Sequence, residues 1–171
     1  MGGFGKLAAM NQEGVSLHVV LVHPEIPWNA GNAGRTCLAA GAQLHLVRPM
    51  GFSLTAREVQ RAGLDYWEQV APRVWASWEA LEQALPGLGR PFLFSVEGER
   101  GYWDVVYPER CVLVFGRESV GLPDEVRARR QTDLVRIPQA HGDVRSLNLS
   151  TSVALAVYEV LRQRRGVVTP R

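Results

Sequence analysis

Read from the N-terminus, hydrophobicity is first sustained at Leu17-His18-Val19-Val20-Leu21-Val22-His23, with almost no polar alternation. A β-branched, apolar run of this kind fits a strand buried on both faces of a parallel sheet. Pro24 and Pro27 break it, and a small-residue helix is expected from about Ala30 to Ala40, closed by Gly41. Gln43 to Val47 repeats the strand pattern and stops at Pro49 and Gly51, and Thr55-Ala56-Arg57-Glu58 has capping-box spacing for a helix ending at Gly63. Ser77 to Leu85 reads as a helix ended by Pro86-Gly87, and Pro91 to Val96 and Cys111 to Phe115 as strands. Asp124 to Arg130 reads as a short helix and Leu134 to Pro138 as a last short strand. From about Leu147 to Arg162, apolar residues at Leu149, Val153, Val157, Val160 and Leu161 mark an amphipathic closing helix. Strands alternating with helices, without internal repeats, predict an α/β fold built on a mostly parallel sheet.

The length of 171 residues is that of one domain. A hydrophobic fraction of 46% with 21% charged residues excludes disordered and fibrous classes. No apolar run reaches the roughly 18 residues a membrane span needs, so no membrane partner is expected. The opening Met1 to Met10 has too short an apolar stretch for a secretory signal, and Lys6 stands where a myristoylation motif wants Ser or Thr. Cys37 and Cys111 are too few and too far apart for a disulfide scaffold or a Cys-rich metal site. These features together predict a cytoplasmic protein. Net charge is only +2, but one of the 19 basic residues is Lys6 and all the others are Arg. Arginine suits phosphate recognition through its paired donors, whereas codon bias gives the same composition without function.

Four stretches hold more glycine and polar residues than turns alone require. Ile26 to Arg35 lies between the first strand and its helix, where backbone N–H groups at a helix N-terminus bind anions in open α/β sheets. The structural alternative is a tight turn in which Asn29 caps, Gly31 and Gly34 allow close helix–sheet contact and Arg35 is solvated. A dinucleotide fingerprint is disfavoured, because G-x-G-x-x-G spacing is missing. Val114 to Pro123 follows an apolar strand; Gly116 permits close ligand approach and Glu118 puts a carboxylate at the sheet's functional edge. Ser119 is not in a nucleophile elbow. Arg136-Ile137-Pro138 opens a polar loop, and Arg145-Ser146-Leu147-Asn148-Leu149-Ser150 crowds hydrogen-bonding side chains at the start of the last helix. Capping by Ser146 or Asn148 explains one of them. His18 and His45 sit within strands as core or edge residues, and no metal-ligand spacing is present. The clusters Arg127, Arg129, Arg130 and Arg162, Arg164, Arg165 suit helix C-termini and solvated faces, or a phosphate backbone.

Taken in order, these segments resemble the SPOUT superfamily of knotted methyltransferases, specifically its small TrmL (YibK-like) branch of tRNA 2′-O-methyltransferases. The resemblance runs through Pro24-Glu25-Ile26-Pro27, Asn29-x-Gly31-Asn32-x-x-Arg35, Pro49-Met50-Gly51-Phe52 and Arg61-Ala62-Gly63-Leu64-Asp65-Tyr66. It continues in Phe115-Gly116-x-Glu118-x-x-Gly121-Leu122-Pro123, Arg136-Ile137-Pro138, Arg145 to Ser150 and Tyr158-Glu159. It covers residues 17–165, leaving a leader at 1–16 and a tail at 166–171. Trp28 stands where the family more often has a smaller residue, the loop between Pro138 and Arg145 is about one residue longer by the variability expected of loops, and Thr151 replaces the usual Asn.

The resemblance implies a twisted, mostly parallel sheet flanked by helices, a C-terminal segment threading a deep trefoil knot, and a homodimer. Threaded chains are rare enough that only the resemblance supports the knot. The implied reaction moves a methyl group from S-adenosylmethionine to a ribose 2′-hydroxyl of tRNA, at the wobble cytidine or uridine, leaving S-adenosylhomocysteine. By family analogy Arg35 aligns the attacking hydroxyl, Asn32 holds Arg35 and its loop, and Glu118, Ser146 and Asn148 complete the polar side of the site. The matching positions for the cofactor are Phe94, Gly116, Ile137, Ser146 and Leu147. No metal is implied, and a 2′-hydroxyl target means RNA rather than DNA. The alternatives are another tRNA or rRNA position, or an RNA-binding protein of the same fold without catalysis.

Overall fold

The computed structural model describes residues 15–53, 66–140 and 145–164. The helix expected from Thr55 to Gly63, residues 1–14 of the leader, the tail and the loop residues His141 and Asp143 lie outside the described residues. Seven strands form one sheet, namely β1 (Leu17–Val22), β2 (Gln43–Val47), β3 (Arg73–Trp75), β4 (Arg90–Phe94), β5 (Arg100–Gly101), β6 (Cys111–Phe115) and β7 (Leu134–Arg136). All pairings are parallel and the spatial order is β3-β2-β1-β6-β4-β7-β5. Five described helices accompany them: α1 (Pro27–Ala40), α2 (Trp67–Val70), α3 (Trp78–Leu88), α4 (Asp124–Arg129) and α5 (Leu149–Gln163).

The central strands are buried along their whole length, as their unbroken apolar runs predict. Alternate side chains feed two cores. Val19, Leu21, Leu44, Leu46, Leu113 and Phe92 meet α1 and α5 on one face. Val20, Val22, Val47, Val112, Val114 and Leu93 meet Trp78, Leu81 and Leu85 of α3 and Val126 of α4 on the other. The result is a three-layer α/β/α sandwich. Among the described residues no helix is long and apolar enough to cross a membrane.

Several boundaries differ from the sequence expectation by a few residues, and three of them have a plain local cause. The first helix begins at Pro27, three residues early, because proline is tolerated at the first helical position, where the missing N–H has no partner to lose. α3 continues through Pro86 to Leu88. The extra turn buries Leu88, and the chain stops at Gly89 with φ 141°. There the N–H of Gly89 bonds the Leu85 carbonyl at 2.9 Å. The first strand ends at Val22, since His23 turns into the left-handed region with φ 54°.

The strand order has a functional consequence. From β1 the chain moves through α1 to β2 and then β3 at one edge, and the later strands all lie on the other side of β1. The order therefore reverses between β1 and β6, and open α/β sheets take ligands near the carboxyl ends of strands at such a point. β6 and β7 enter the sheet between strands that precede them. The C-terminal segment for which a knot is expected includes residues 141–144, which lie outside the described residues.

Candidate active site

At this reversal the segments following β1 and β6 are tied by carboxylates. Glu118 Oε2 accepts the N–H of Glu25 at 2.8 Å, and Oε1 accepts the N–H of Ile26 at 3.2 Å and Asn29 Nδ2 at 2.9 Å. Glu25 returns the link by accepting the Ser119 N–H at 3.0 Å and the Ser119 hydroxyl at 2.9 Å. The N-cap residue of α1, Ile26, has no capping side chain of its own. Glu118, almost a hundred positions along the chain, satisfies that helix end and complements its dipole.

The bond from Asn29 Nδ2 to Glu118 fixes the amide so that its Oδ1 faces Asn148, whose Nδ2 donates to it at 3.0 Å. Asn148 Oδ1 in turn caps α5, accepting from the N–H groups of Ser150 at 2.9 Å and Thr151 at 3.3 Å and from the Ser150 hydroxyl at 2.7 Å. One unbroken chain, Asn148 to Asn29 to Glu118, thus joins the starts of α1 and α5 to the loop after β6. Each donor and acceptor role in it is determined by the next.

Beneath these residues lies a cavity of about 370 Å³ at the carboxyl ends of β4, β6 and β7. This falls within the usual range for small-molecule and cofactor sites. Phe94, Phe115, Leu122, Ile137, Leu147 and Leu149 give it apolar walls, and Glu118, Ser119, Arg145, Ser146 and Asn148 its polar ones. Phe94 and Phe115 stack with centroids 4.5 Å apart. The loop after β6 closes on itself, with Arg117 N–H to the Gly121 carbonyl at 3.1 Å and Gly121 N–H to the Arg117 carbonyl at 2.9 Å. A Cβ on Gly116 would lie 2.0 Å from the Gly121 carbonyl carbon, so only glycine permits this closure. Two buried polar atoms of lining residues, Gln139 Oε1 and Arg117 Nε, have no hydrogen-bond partner among the described residues. An acceptor and a donor left open within apolar walls suit a ligand with both apolar and polar parts.

The expected site residues divide into two groups. Phe94, Gly116, Glu118, Ile137, Ser146, Leu147 and Asn148 all line the cavity. Asn32 and Arg35 are on the exposed side of α1 and are not part of its lining. The Arg35 guanidinium lies over the Tyr66 ring, 4.6 Å from its centroid, and the Tyr66 hydroxyl donates to the Gly31 carbonyl at 3.1 Å. Asn29 is the residue the sequence underrated. It is buried in the first turn of α1 rather than capping it, and it bridges Glu118 and Asn148.

Elsewhere the candidates resolve into structure. Arg127 pairs with Glu97 and Asp124, and Arg129 and Arg130 reach Glu82 at 3.5 and 3.1 Å. Arg162 pairs with Glu159 at 2.7 Å, and Arg164 donates to the carbonyls of Pro108 and Glu109 at 3.0 and 2.6 Å. These clusters serve internal contacts before any phosphate. Cys37 and Cys111 are free and buried, and burial pushes their thiols up to about 12 and about 11. His18 and His45 are buried and hydrogen-bonded to each other at 3.0 Å.

Comparison with known proteins bears on the same residues. The family model described as SpoU rRNA Methylase family matches residues 16–158. A tRNA (cytidine(34)-2'-O)-methyltransferase of Methylovorus glucosotrophus is 44% identical over 146 residues, covering 85% of this chain and 94% of that protein. A solved structure described as giving structural insights into the 2-OH methylation of C/U34 on tRNA is 49% identical, with a TM-score of 0.80 over 88% of this chain and 97% of that one. The AdoMet-bound rRNA methyltransferase of Sinorhizobium meliloti is 30% identical, with a TM-score of 0.74 over 92% of this chain and 59% of that one.

Proposed function

The chain belongs to the SpoU rRNA methylase family, and from that premise we propose that it methylates the ribose 2′-hydroxyl of nucleotide 34 in tRNA, using S-adenosylmethionine. The observation that carries this reading is the cavity at the carboxyl ends of β4, β6 and β7, beside the reversal point and walled in part by the Glu118–Asn29–Asn148 chain. The residues present fit the cofactor: apolar walls for an adenine ring, a close backbone loop at Gly116, and the open Gln139 and Arg117 atoms for polar groups. When bound, S-adenosylmethionine supplies a methyl group on a cationic sulfonium.

The chain's own residues then orient and exclude water. Phe94, Ile137 and Leu147 hold apolar surface against the cofactor, and Ser146 presents a hydroxyl on the same lining. Glu118, Asn29 and Asn148 fix the relative positions of the two helix starts, so that the approach of the ribose is set in advance. Arg35 cannot act as a base, because guanidinium does not deprotonate in proteins. Its role is to orient the 2′-oxygen or an adjacent phosphate and to stabilise the alkoxide as it develops. Asn32 lies one turn earlier on the same exposed side and supports that contact.

The protein works as a homodimer in this reading. Exposed Leu38 of α1 (39%) and Leu155 and Tyr158 of α5 (39% and 56%) offer an apolar surface on two helices that pack together. A second copy also brings a second Arg35 near one tRNA.

The test is incubation with methyl-labelled S-adenosylmethionine and unmodified tRNA, followed by digestion and nucleoside mass spectrometry. Label should appear in a 2′-O-methylated pyrimidine. Arg35→Ala should abolish transfer while leaving cofactor affinity within a few-fold by calorimetry. Cofactor binding without any label in tRNA would overturn the reading in favour of another RNA or a non-catalytic binder.

A further inference from the structure

The inward side of α1 is made of small residues, and its one aromatic residue points the other way. Ala30, Gly31, Ala33, Gly34 and Cys37 are buried, Gly34 against Trp67 and Val70 of α2, whereas Trp28 projects outward and is 59% exposed. An indole at a first turn that faces water forgoes the burial that usually justifies its size. Among the described residues its ring has no aromatic or cationic partner. Two residues before it, Ile26 is 40% exposed and lines the cavity; so does Val120, at 63%.

Helical spacing places Trp28 with the expected chemistry. Arg35 is seven residues on, two turns and about 10 Å along the same face, and Asn32 lies between them at four. An exposed indole, an amide and a guanidinium therefore form one stripe beside the cavity. A flat apolar ring near a cation is what an unpaired nucleobase and its phosphate require.

We propose that Trp28 is a positioning residue whose indole stacks on the nucleobase of the nucleotide being methylated, holding its ribose toward the cavity while Arg35 meets the oxygen or phosphate. This rests on the RNA-methylation reading above. Stacking is tolerant of base identity, so Trp28 fixes the position of a pyrimidine without selecting between cytosine and uracil.

Two measurements on the full chain decide it. In steady-state kinetics with tRNA, Trp28→Ala should raise KM about tenfold or more. The loss should fall in KM rather than kcat, and Trp28→Phe should recover most of it. In binding, an anticodon stem-loop carrying pyrrolocytidine at the target position should lose fluorescence on the wild type and keep it on Trp28→Ala at saturating protein. An unchanged KM for Trp28→Ala, or absence of quenching by the wild type, overturns the proposal and leaves methylation standing. The quenching needs no turnover, so it decides the stacking even if the wild type transfers no methyl group. Sedimentation of Trp28→Ala covers the rival occupant: conversion from dimer to monomer would show that a second copy of the chain covers the indole, and would also overturn the proposal.

Discussion

A carboxylate that accepts from two backbone N–H groups and one side-chain amide has no substitute of equal length. Glutamine at 118 would keep one acceptor oxygen and turn the other into a donor, aimed at the N–H of Glu25 or at the Ile26 N–H and Asn29 amide. We expect Glu118→Gln to lower stability by about 1–3 kcal/mol, the cost of leaving such groups unpaired. Cofactor affinity should fall more than in Arg35→Ala, since the loop after β6 forms the cavity wall. Thermal unfolding and a calorimetric titration check this, and unchanged midpoint and affinity would contradict it. At this scale Glu118, Ser146 and Asn148 were legible from their places at a strand end and a helix start. Asn29 was not, because the choice between a cap and an inward-facing bridge depends on where α1 begins. Pro27 held the signal: proline favours the first helical position, and starting there turns Asn29 away from the cap. Contact between residues nearly 120 positions apart leaves no local pattern to read.

The elements that sequence reading found are those buried along their length. β1, β2 and β6 carry unbroken apolar runs, whereas β3 and β5 have three and two residues and begin with exposed arginines, so nothing in their hydrophobicity marks them. β3 matters through Trp75, whose indole N–H donates to His45 Nδ1 at 2.9 Å. That bond puts the His45 proton on Nε2, which donates to His18 Nδ1, so β3, β2 and β1 are linked through neutral imidazoles on the α3 face of the sheet. Burial, then the neighbouring His18 and Arg73, pushes His45 down to about 3; burial also lowers His18, with Arg110 and Arg73 adding to it. The unfolded chain therefore binds more protons than the folded one below the ordinary histidine value. Stability contributed by this pair is full above about pH 6.5 and is lost as pH falls toward 3, with a limiting slope of about 1.4 kcal/mol per pH unit for each histidine. Denaturant midpoints measured from pH 7 down to pH 4 should fall steadily for the wild type. They should fall less for His45→Gln, and identical slopes would contradict the assignment.

For the whole molecule, the strand order decides where chemistry sits. The sequence predicted alternating strands and helices and a parallel sheet, but not an order in which β6 and β7 enter between earlier strands. No hydrophobic pattern encodes which neighbour a buried strand takes, and the family resemblance implied a parallel sheet and a knot without an order of strands. Several arginines are taken up by contacts within the chain, Arg127, Arg129, Arg130 and Arg162 by Glu97, Asp124, Glu82 and Glu159 and Arg164 by backbone carbonyls. Arg35, over Tyr66, is the arginine proposed to meet RNA, and Arg117 and Arg145 line the cavity. The proposed homodimer would bring a second Arg35 to the same RNA. Sedimentation velocity should give a dimer, and Tyr158→Glu on the exposed side of α5 should give a monomer with at least tenfold less transfer, the scale set by burying a charge at such an interface. A wild type that is monomeric and fully active would contradict the dimer.

The central claim is that the reacting atom is one oxygen on one nucleotide. Two anticodon stem-loops, identical except for a 2′-deoxy sugar at nucleotide 34, isolate that atom. With methyl-labelled S-adenosylmethionine, the account predicts incorporation into the all-ribose RNA and none into its deoxy counterpart, with both RNAs bound comparably. Equal labelling of the two would place the methyl group elsewhere and contradict the account.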